Sequence, residues 1–166
     1  MNGIAVKNLS KSFENRTVLN NVSMVIKHGS RIAVTAPSGY GKTTLIRVLL
    51  GLEKPDSGEV QTDGCKFSVV FQEDRLLEQF SVYTNAKFAK SDSIDKSFIM
   101  NVLDSLKLND SAKKSVKTLS GGMRRRAALA RALCADFNTL ILDEPFKGLD
   151  NDLKDEIIDY LNDFCK

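Results

Sequence analysis

The residues with the clearest chemical potential form a glycine-rich loop that ends in a lysine and two hydroxyls. Residues 36–44 read Ala-Pro-Ser-Gly-Tyr-Gly-Lys-Thr-Thr. Gly39 and Gly41 allow successive backbone N–H groups to converge on one anion, and a helix that follows adds the positive end of its dipole. Lys42 supplies a mobile charge for outer phosphates, and Thr43 supplies a hydroxyl for Mg²⁺. The spacing predicts a nucleotide phosphate site.

The candidate phosphate-binding residues of this loop are Ser38, Gly39, Tyr40, Gly41, Lys42, Thr43 and Thr44. The alternative interpretation is an ordinary strand-to-helix turn with a capping hydroxyl. Two positions depart from the usual pattern of such loops. Ala36 stands where the first glycine is common, and Tyr40 stands where a small residue is common. Neither change removes a backbone donor, although Ala36 requires a backbone angle that alanine tolerates.

Two adjacent carboxylates, Asp143 and Glu144, follow the apolar run at residues 139–142. A short apolar run of this composition predicts a buried strand, so both side chains should emerge where that strand ends. Asp143 suits the outer shell of a metal ion, and Glu144 suits the polarisation of an attacking water. The alternative is a pair of solvated acids at a strand end. Pro145 cannot continue the strand's hydrogen bonds.

A second candidate anion site is formed by Ser120, Gly121 and Gly122, which open an Ala- and Leu-rich helix. The hydroxyl, the flexible backbone and the helix N–H groups repeat the physics of the first loop. The three arginines at 124–126 lie in the first turn of this helix, where the dipole disfavours cations. They either bind phosphate or acidic groups on a neighbouring surface, or form a simply solvated basic turn.

With these three motifs in this order, the chain resembles the ATP-binding-cassette (ABC) ATPases over residues 2–150. The resemblance implies an α/β fold, a P-loop NTPase core with an N-terminal antiparallel β part and a small helical insert. One domain would comprise a β-rich part with the phosphate loop (1–72), the insert (73–118), and the helix, catalytic strand and last helix (119–166). It also implies ATP and Mg²⁺ as cofactors.

Several residue roles rest on this resemblance. Glu144 and Gln72 are expected to be catalytic, and the Mg²⁺ ligands are expected to be Thr43, Gln72 and Asp143. Phe13 lies where the family carries an aromatic residue that stacks on adenine, although a core phenylalanine is the alternative. The loop Ser120, Gly121 and Gly122 would face the nucleotide of a second subunit, and Asp150 matches the loop that crosses between subunits. Met123 replaces a glutamine common in the family.

Hydrophobic periodicity predicts the elements that position these residues. Val22, Met24 and Ile26 alternate with Ser23, Val25 and Lys27, which predicts a strand with one buried face. Further strands are expected at 31–36 and 66–71, and a turn at 54–58. The predicted helices are one after the phosphate loop with apolar Leu45, Val48, Leu49 and Leu52, one around Phe98–Leu106 preceded by a polar loop at 91–93, and one containing Leu153, Ile157, Tyr160, Leu161 and Phe164.

Composition narrows the class of protein. The chain has 166 residues, 42% of them hydrophobic and 27% charged, as in an ordinary soluble domain. The net charge of +3 is too small to indicate nucleic-acid binding by itself. The sequence contains no apolar run long enough to cross a bilayer and no recognisable signal peptide, so any membrane link is expected through a partner. The three widely spaced cysteines predict reduced thiols.

The resemblance implies an ATP-hydrolysing subunit that powers an ABC transporter by ATP-driven dimer closure. Its expected partners are a second ATP-binding subunit and transmembrane permease subunits at the cytoplasmic face of the membrane, with no nucleic acid. The motifs look most like those of nitrate, sulfonate and taurine importers. The family's C-terminal strands, with a histidine that senses the γ-phosphate, are not found after Asp150, so weak turnover is expected.

Two alternatives remain open at this level. One is a degenerate or truncated cassette that binds nucleotide without steady turnover. The other is the ATPase head of a DNA-repair or chromosome-maintenance protein. Such heads usually insert a very long coiled coil between the two halves of the site. The short interval from Gln72 to Ser120 has no sustained heptads and disfavours that reading.

Overall fold

The computed structural model describes residues 3–37, 39–89 and 95–166. Ser38 and the predicted polar loop at 91–93 lie outside the described residues. The chain divides into two compact units, Met1–Phe67 and Ser68–Lys166. Each unit has its own cluster of buried apolar side chains.

The first unit is built on an antiparallel sheet with one helix. Strands β1 (Gly3–Phe13), β2 (Arg16–Lys27) and β3 (Ser57–Gln61) lie in the order β2-β1-β3. Both pairings with β1 are antiparallel. The predicted alternation in β2 is confirmed, because Val22, Met24 and Ile26 are half-buried while their neighbours are exposed. Helix α1 (Lys42–Leu49) buries Leu45, Val48 and Leu49 in the same apolar cluster, whereas Leu52 is exposed.

The predicted strand at 31–36 is wrong. Residues 31–37 form no ladder with any strand in the described part of the chain, and all are exposed. Ile32 and Val34 are 53% and 48% exposed. β-prone residues make a strand only when a neighbour pairs with their backbone groups, so propensity alone misassigned this run. The predicted turn at 54–58 is also too long, since Ser57 and Gly58 already belong to β3.

The second unit packs four helices with a two-stranded sheet. Its helices are α2 (Val82–Ala89), α3 (Lys96–Ser105), α4 (Gly121–Leu133) and α5 (Asn151–Phe164). The sheet pairs β4 (Phe67–Val70) with β5 (Thr139–Leu142), and short 3-10 turns occupy Asn109–Ser111 and Val116–Thr118. The largest fully buried side chains of this core are Ile99, Leu103, Leu106, Leu108, Leu129, Leu133 and Ile157.

The helical predictions for this unit are largely confirmed. Helix α3 buries Ile99, Val102 and Leu103, and the carboxylate of Asp95 caps it by accepting from the Phe98 N–H at 2.8 Å. The last predicted helix is α5. Helix α2 was not predicted, and β5 is half-buried along its length rather than buried. No helix in the described ranges combines the length and apolar composition needed to cross a bilayer.

Candidate functional site

The predicted phosphate loop has the backbone that its glycines allow. Gly39 has φ 79° and Gly41 has φ 86°, both in the left-handed region. A Cβ atom on Gly41 would lie 2.8 Å from the Val18 carbonyl oxygen and 2.9 Å from the Leu19 side chain. Gly41 directly precedes α1, so the start of that helix is packed tightly against β2. Only glycine satisfies both the backbone angle and the space at this position.

Lys42 is folded back over the loop that precedes it. Its ammonium donates to the carbonyl of Ala36 at 2.6 Å and to the carbonyl of Pro37 at 3.0 Å. The Arg16 guanidinium donates to the Gly39 carbonyl at 3.4 Å. The Ala36 contact uses a backbone oxygen. Alanine in place of the usual glycine therefore does not remove the acceptor of Lys42. Two cations therefore lie along the loop, and their charge favours an anion there.

The other candidates of the first unit lie in the loop, in the first turn of α1 and at the end of β1. Thr43 and Thr44 are half-buried in the first turn of α1, and Tyr40 is exposed. Phe13 ends β1 and is 43% exposed, so the alternative of a core phenylalanine is wrong. The Lys11 ammonium lies 5.1 Å from the centroid of the Phe13 ring. A cation at this distance is attracted to the face of an aromatic ring.

In the second unit, Asp143 and Glu144 follow β5 as predicted. The Asp143 N–H donates to the Val70 carbonyl at 2.8 Å, which extends the β4–β5 pairing beyond Leu142. Asp143 is 5% exposed, whereas Glu144 is exposed. Glu144 has φ 50°, a conformation that non-glycine residues rarely adopt and that often marks functional turns. Nothing in the residue pattern around Glu144 predicts this backbone angle.

The structure brings Gln72 and Glu144 together, although they are far apart in sequence. The Gln72 amide nitrogen donates to Glu144 Oε2 at 3.4 Å. The Lys147 ammonium lies 3.7 Å from the same oxygen. Glu144 is thus flanked by one amide and one cation at the exposed side of the turn. This arrangement can orient a water molecule beside a carboxylate base.

Two of the three arginines at the start of α4, Arg125 and Arg126, bind main-chain carbonyls of this chain, whereas Arg124 is 40% exposed and lies 3.9 Å from Glu78. Arg125 is buried, and its guanidinium donates to main-chain carbonyls of residues that directly follow β4 and β5. Arg126 donates to the carbonyls of Leu106 and Lys107, both at 2.9 Å. Burial lowers the pKa of the Arg126 guanidinium, and the charge of Asp150 opposes that shift. The cost of cations near a helix N-terminus is offset by these carbonyl oxygens.

The predicted second anion loop is the start of α4. The Ser120 hydroxyl caps the helix by accepting from the Met123 N–H at 3.3 Å. A Cβ on Gly122 would lie 3.1 Å from the Gly148 carbonyl, so this glycine allows the loop after Glu144 to approach closely. Gly121 has open space around it. Asp150 caps α5, since its carboxylate accepts from the Leu153 N–H at 2.9 Å.

The predicted Mg²⁺ ligands carry hard oxygen donors, with Thr43 in the first unit and Gln72 and Asp143 in the second. Within the described ranges, no group of three or more His, Cys, Asp or Glu side chains is placed to hold a metal ion. Mg²⁺ bound with a nucleotide needs few protein ligands, because phosphates and waters complete its octahedron. Thr43, Gln72 and Asp143 offer hard oxygen donors of this kind. Since the Gln72 amide nitrogen faces Glu144, its oxygen is the atom left to bind a cation.

Comparison with known proteins decides the family. A family model described as ABC transporter matches residues 19–147. The chain belongs to the ABC transporter family. The resemblance found in the sequence motifs is therefore confirmed for this ABC transporter chain. Its α/β fold is also similar to that of a bacterial Atm1-family ABC exporter solved with ATP bound, with a TM-score of 0.87 at 22% identity, covering 99% of this chain and 33% of the exporter.

Several curated relatives of the ABC transporter chain are named import ATP-binding proteins. It is 40% identical to the aliphatic sulfonates import ATP-binding protein SsuB 1 of Nocardia farcinica, over 89% of this chain and 60% of the relative. It is 35% identical to the spermidine/putrescine import ATP-binding protein PotA of Thermotoga maritima, over 93% and 46%. A probable sulfate/thiosulfate import ATP-binding protein CysA of Chlorella vulgaris is 37% identical, over 96% and 74%. The chain spans about half to three-fifths of the first two relatives.

Proposed function

We propose that this chain binds and hydrolyses ATP as the ATP-binding subunit of an ABC importer. The observation that carries the proposal is the Lys42 loop. Its glycines adopt left-handed angles at the start of α1, and its ammonium is held at the loop by two carbonyl oxygens. A triphosphate would replace those oxygens with charged ones, which bind an ammonium more strongly. The import relatives support the same conclusion.

The residues divide the work of ATP hydrolysis between the two units. The loop N–H groups and Lys42 hold the phosphates, and Phe13 stacks on the adenine. Thr43, Gln72 and Asp143 hold Mg²⁺, which when bound neutralises charge on the phosphate oxygens. Glu144 accepts the proton of the attacking water, which Gln72 helps to orient. The proposal requires the Lys42 loop and the Asp143–Glu144 turn to meet around one triphosphate.

The proposed active form is a dimer that closes on ATP. In it, Ser120, Gly121 and Gly122 of one subunit face the nucleotide held by the other, and Asp150 lies in the loop that crosses between them. The second subunit is another copy or a similar cassette. Permease subunits would hold the dimer at the cytoplasmic face of the membrane. The relatives are named for sulfonates, sulfate and polyamines, so their names favour import but no single substrate.

Calorimetric titration with ATP and Mg²⁺ tests the proposal, with Lys42→Ala as the variant and Lys27→Ala as the control. Lys27 is an exposed lysine of the same unit, at the end of β2. We expect Lys42→Ala to weaken ATP binding by at least about tenfold, because a charged hydrogen bond is lost, and Lys27→Ala to bind normally. Absence of binding by the unchanged protein would overturn the proposal. Phosphate release then separates hydrolysis from binding without turnover.

A further inference from the structure

Arg125 carries the most unusual set of contacts in the second unit. Its side chain is 4% exposed. Its Nε donates to the carbonyls of Glu144 and Pro145, both at 3.2 Å. Its terminal nitrogens donate to the carbonyls of Phe71, Gln72 and Asp143 and to the Asp74 carboxylate. A buried guanidinium is thus surrounded by five main-chain oxygens and one carboxylate.

These acceptors belong to two separate segments of backbone. One is the segment after β4, which carries Gln72. The other is the segment after β5, which carries Glu144. A guanidinium presents its N–H groups in one rigid plane, so acceptors bound on two of its edges are fixed relative to each other. Only Asp74 balances its charge in this set of contacts, so the burial is tolerable because main-chain dipoles complete the hydrogen bonds.

We propose that Arg125 is a positioning residue that holds Gln72 and Glu144 opposite each other. Its consequence for turnover rests on the proposed function, whereas the linkage of the two segments does not. Arg125 binds the main chain of both residues, and their side chains meet at 3.4 Å on the exposed side of the turn. Arg125 also lies one helical turn after Gly121 and Gly122. It therefore joins the start of α4 to the catalytic turn.

Lysine is the discriminating replacement. An ammonium carries a similar charge but is a single point with three donors, so it cannot bridge the two segments, and both lose the rigid link that fixes them relative to each other. Arg126 is the matched control. It lies on the same helix and also donates to two carbonyls, but those belong to Leu106 and Lys107 after α3. Replacing it with lysine perturbs α4 to a similar degree without touching the catalytic turn.

Hydrogen exchange of the full chain tests the linkage without any need for activity. In Arg125→Lys we expect the backbone amides near residues 71–74 and 143–146 to exchange together, at least about tenfold faster than in the unchanged protein. In Arg126→Lys only amides near residues 105–108 should respond. A response in one of the two catalytic segments, or in neither, overturns the proposal. Should Arg125→Lys fail to fold, Asp74→Asn weakens the same set of contacts and must give the same paired response.

Kinetics then separate positioning from binding. Residues that orient ligand groups through another residue typically change activity by roughly 10–100-fold. We expect Arg125→Lys to lower kcat in that range while KM for ATP changes less than about threefold, and Arg126→Lys to change neither. A raised KM with unchanged kcat would overturn the positioning role. If the unchanged protein fails to bind ATP, the proposed function fails, and the exchange measurement still decides the linkage.

Discussion

Lys42 and Arg125 both bind main-chain carbonyls, yet they do so in opposite ways. Lys42 is half-buried and binds two consecutive carbonyls of its own exposed loop. Arg125 is buried and binds carbonyls of two segments distant in sequence. The first arrangement is easily exchanged for a ligand, because water and phosphate can both reach it. The second is shielded from solvent, because Arg125 is 4% exposed. In the roles we propose, Lys42 binds the nucleotide and Arg125 holds the geometry of the Gln72–Glu144 pair.

The same contrast appears in how the two turns reach left-handed angles. Around Lys42 the turn uses Gly39 and Gly41, which adopt positive φ at no steric cost. After β5 the turn uses Glu144, a residue for which φ 50° is costly. Surrounding hydrogen bonds must hold Glu144 there, and Arg125 supplies one of them through the Glu144 carbonyl. The Lys42 turn is encoded locally, whereas the Glu144 turn depends on tertiary contacts.

The largest expected effect concerns the proposed catalytic base in the Glu144 turn. Glu144→Gln removes the proposed base while keeping the size of the side chain. We expect turnover to fall by at least about 100-fold, the scale of general-base catalysis, while ATP affinity stays within a few fold. Phosphate release and calorimetry on the same preparation measure both quantities. Turnover that survives this change would show that Glu144 is not the base.

A smaller effect is expected from the glycines that define the Lys42 turn. Gly41→Ala places a Cβ 2.8 Å from a backbone oxygen at φ 86°, so we expect it to destabilise the protein by roughly 2 kcal/mol or more. Gly39→Ala has a similar φ, but its nearest contact is the Arg16 side chain at 3.9 Å. Backbone strain alone should cost about 1 kcal/mol there. Urea unfolding measures both, and equal losses would contradict this ranking.

An effect that is absent at neutral pH probes the interior of the second unit. Burial raises the pKa of the Cys134 thiol to about 11, above the value of about 8.5 typical of an unfolded chain. A raised acid pKa means that its stabilising contribution is present below pH about 8.5 and declines as the pH rises towards 11. We expect Cys134→Ala to flatten the fall in unfolding free energy over that range. Cys65→Ala, a half-buried thiol of the first unit, is the control.

The sequence could predict the parts of the site that consist of consecutive residues. Gly39, Gly41 and Lys42 specify a loop by local spacing, and Asp143 and Glu144 follow an apolar run. The role of Arg125 could not be predicted in the same way, because its partners are main-chain atoms of residues such as Phe71, far along the chain. The only signal was an arginine run where the helix dipole disfavours it.

The helices and strands show the same difference between local pattern and long-range contacts. Helix α3 was predicted because Ile99, Val102 and Leu103 mark one apolar face. Helix α2 was missed because a polar residue, Asn85, lies on its buried face. The Asn85 amide donates to the carbonyls of Leu77 and Ser81, which compensates its burial. The strand expected at 31–36 failed for a related reason, since pairing partners are a property of the whole chain and not of the run itself.

The resting contacts of Lys42 set what a titration can report. Any anion that takes up its ammonium must first displace the Ala36 and Pro37 oxygens at 2.6 and 3.0 Å. The heat released is then the difference between two sets of hydrogen bonds, and it understates the attraction between lysine and phosphate. The Lys42→Ala variant has no ammonium and therefore breaks no hydrogen bonds to Ala36 and Pro37 when the anion binds. A small difference in binding enthalpy between Lys42→Ala and the unchanged protein would therefore be compatible with a strong attraction between Lys42 and phosphate.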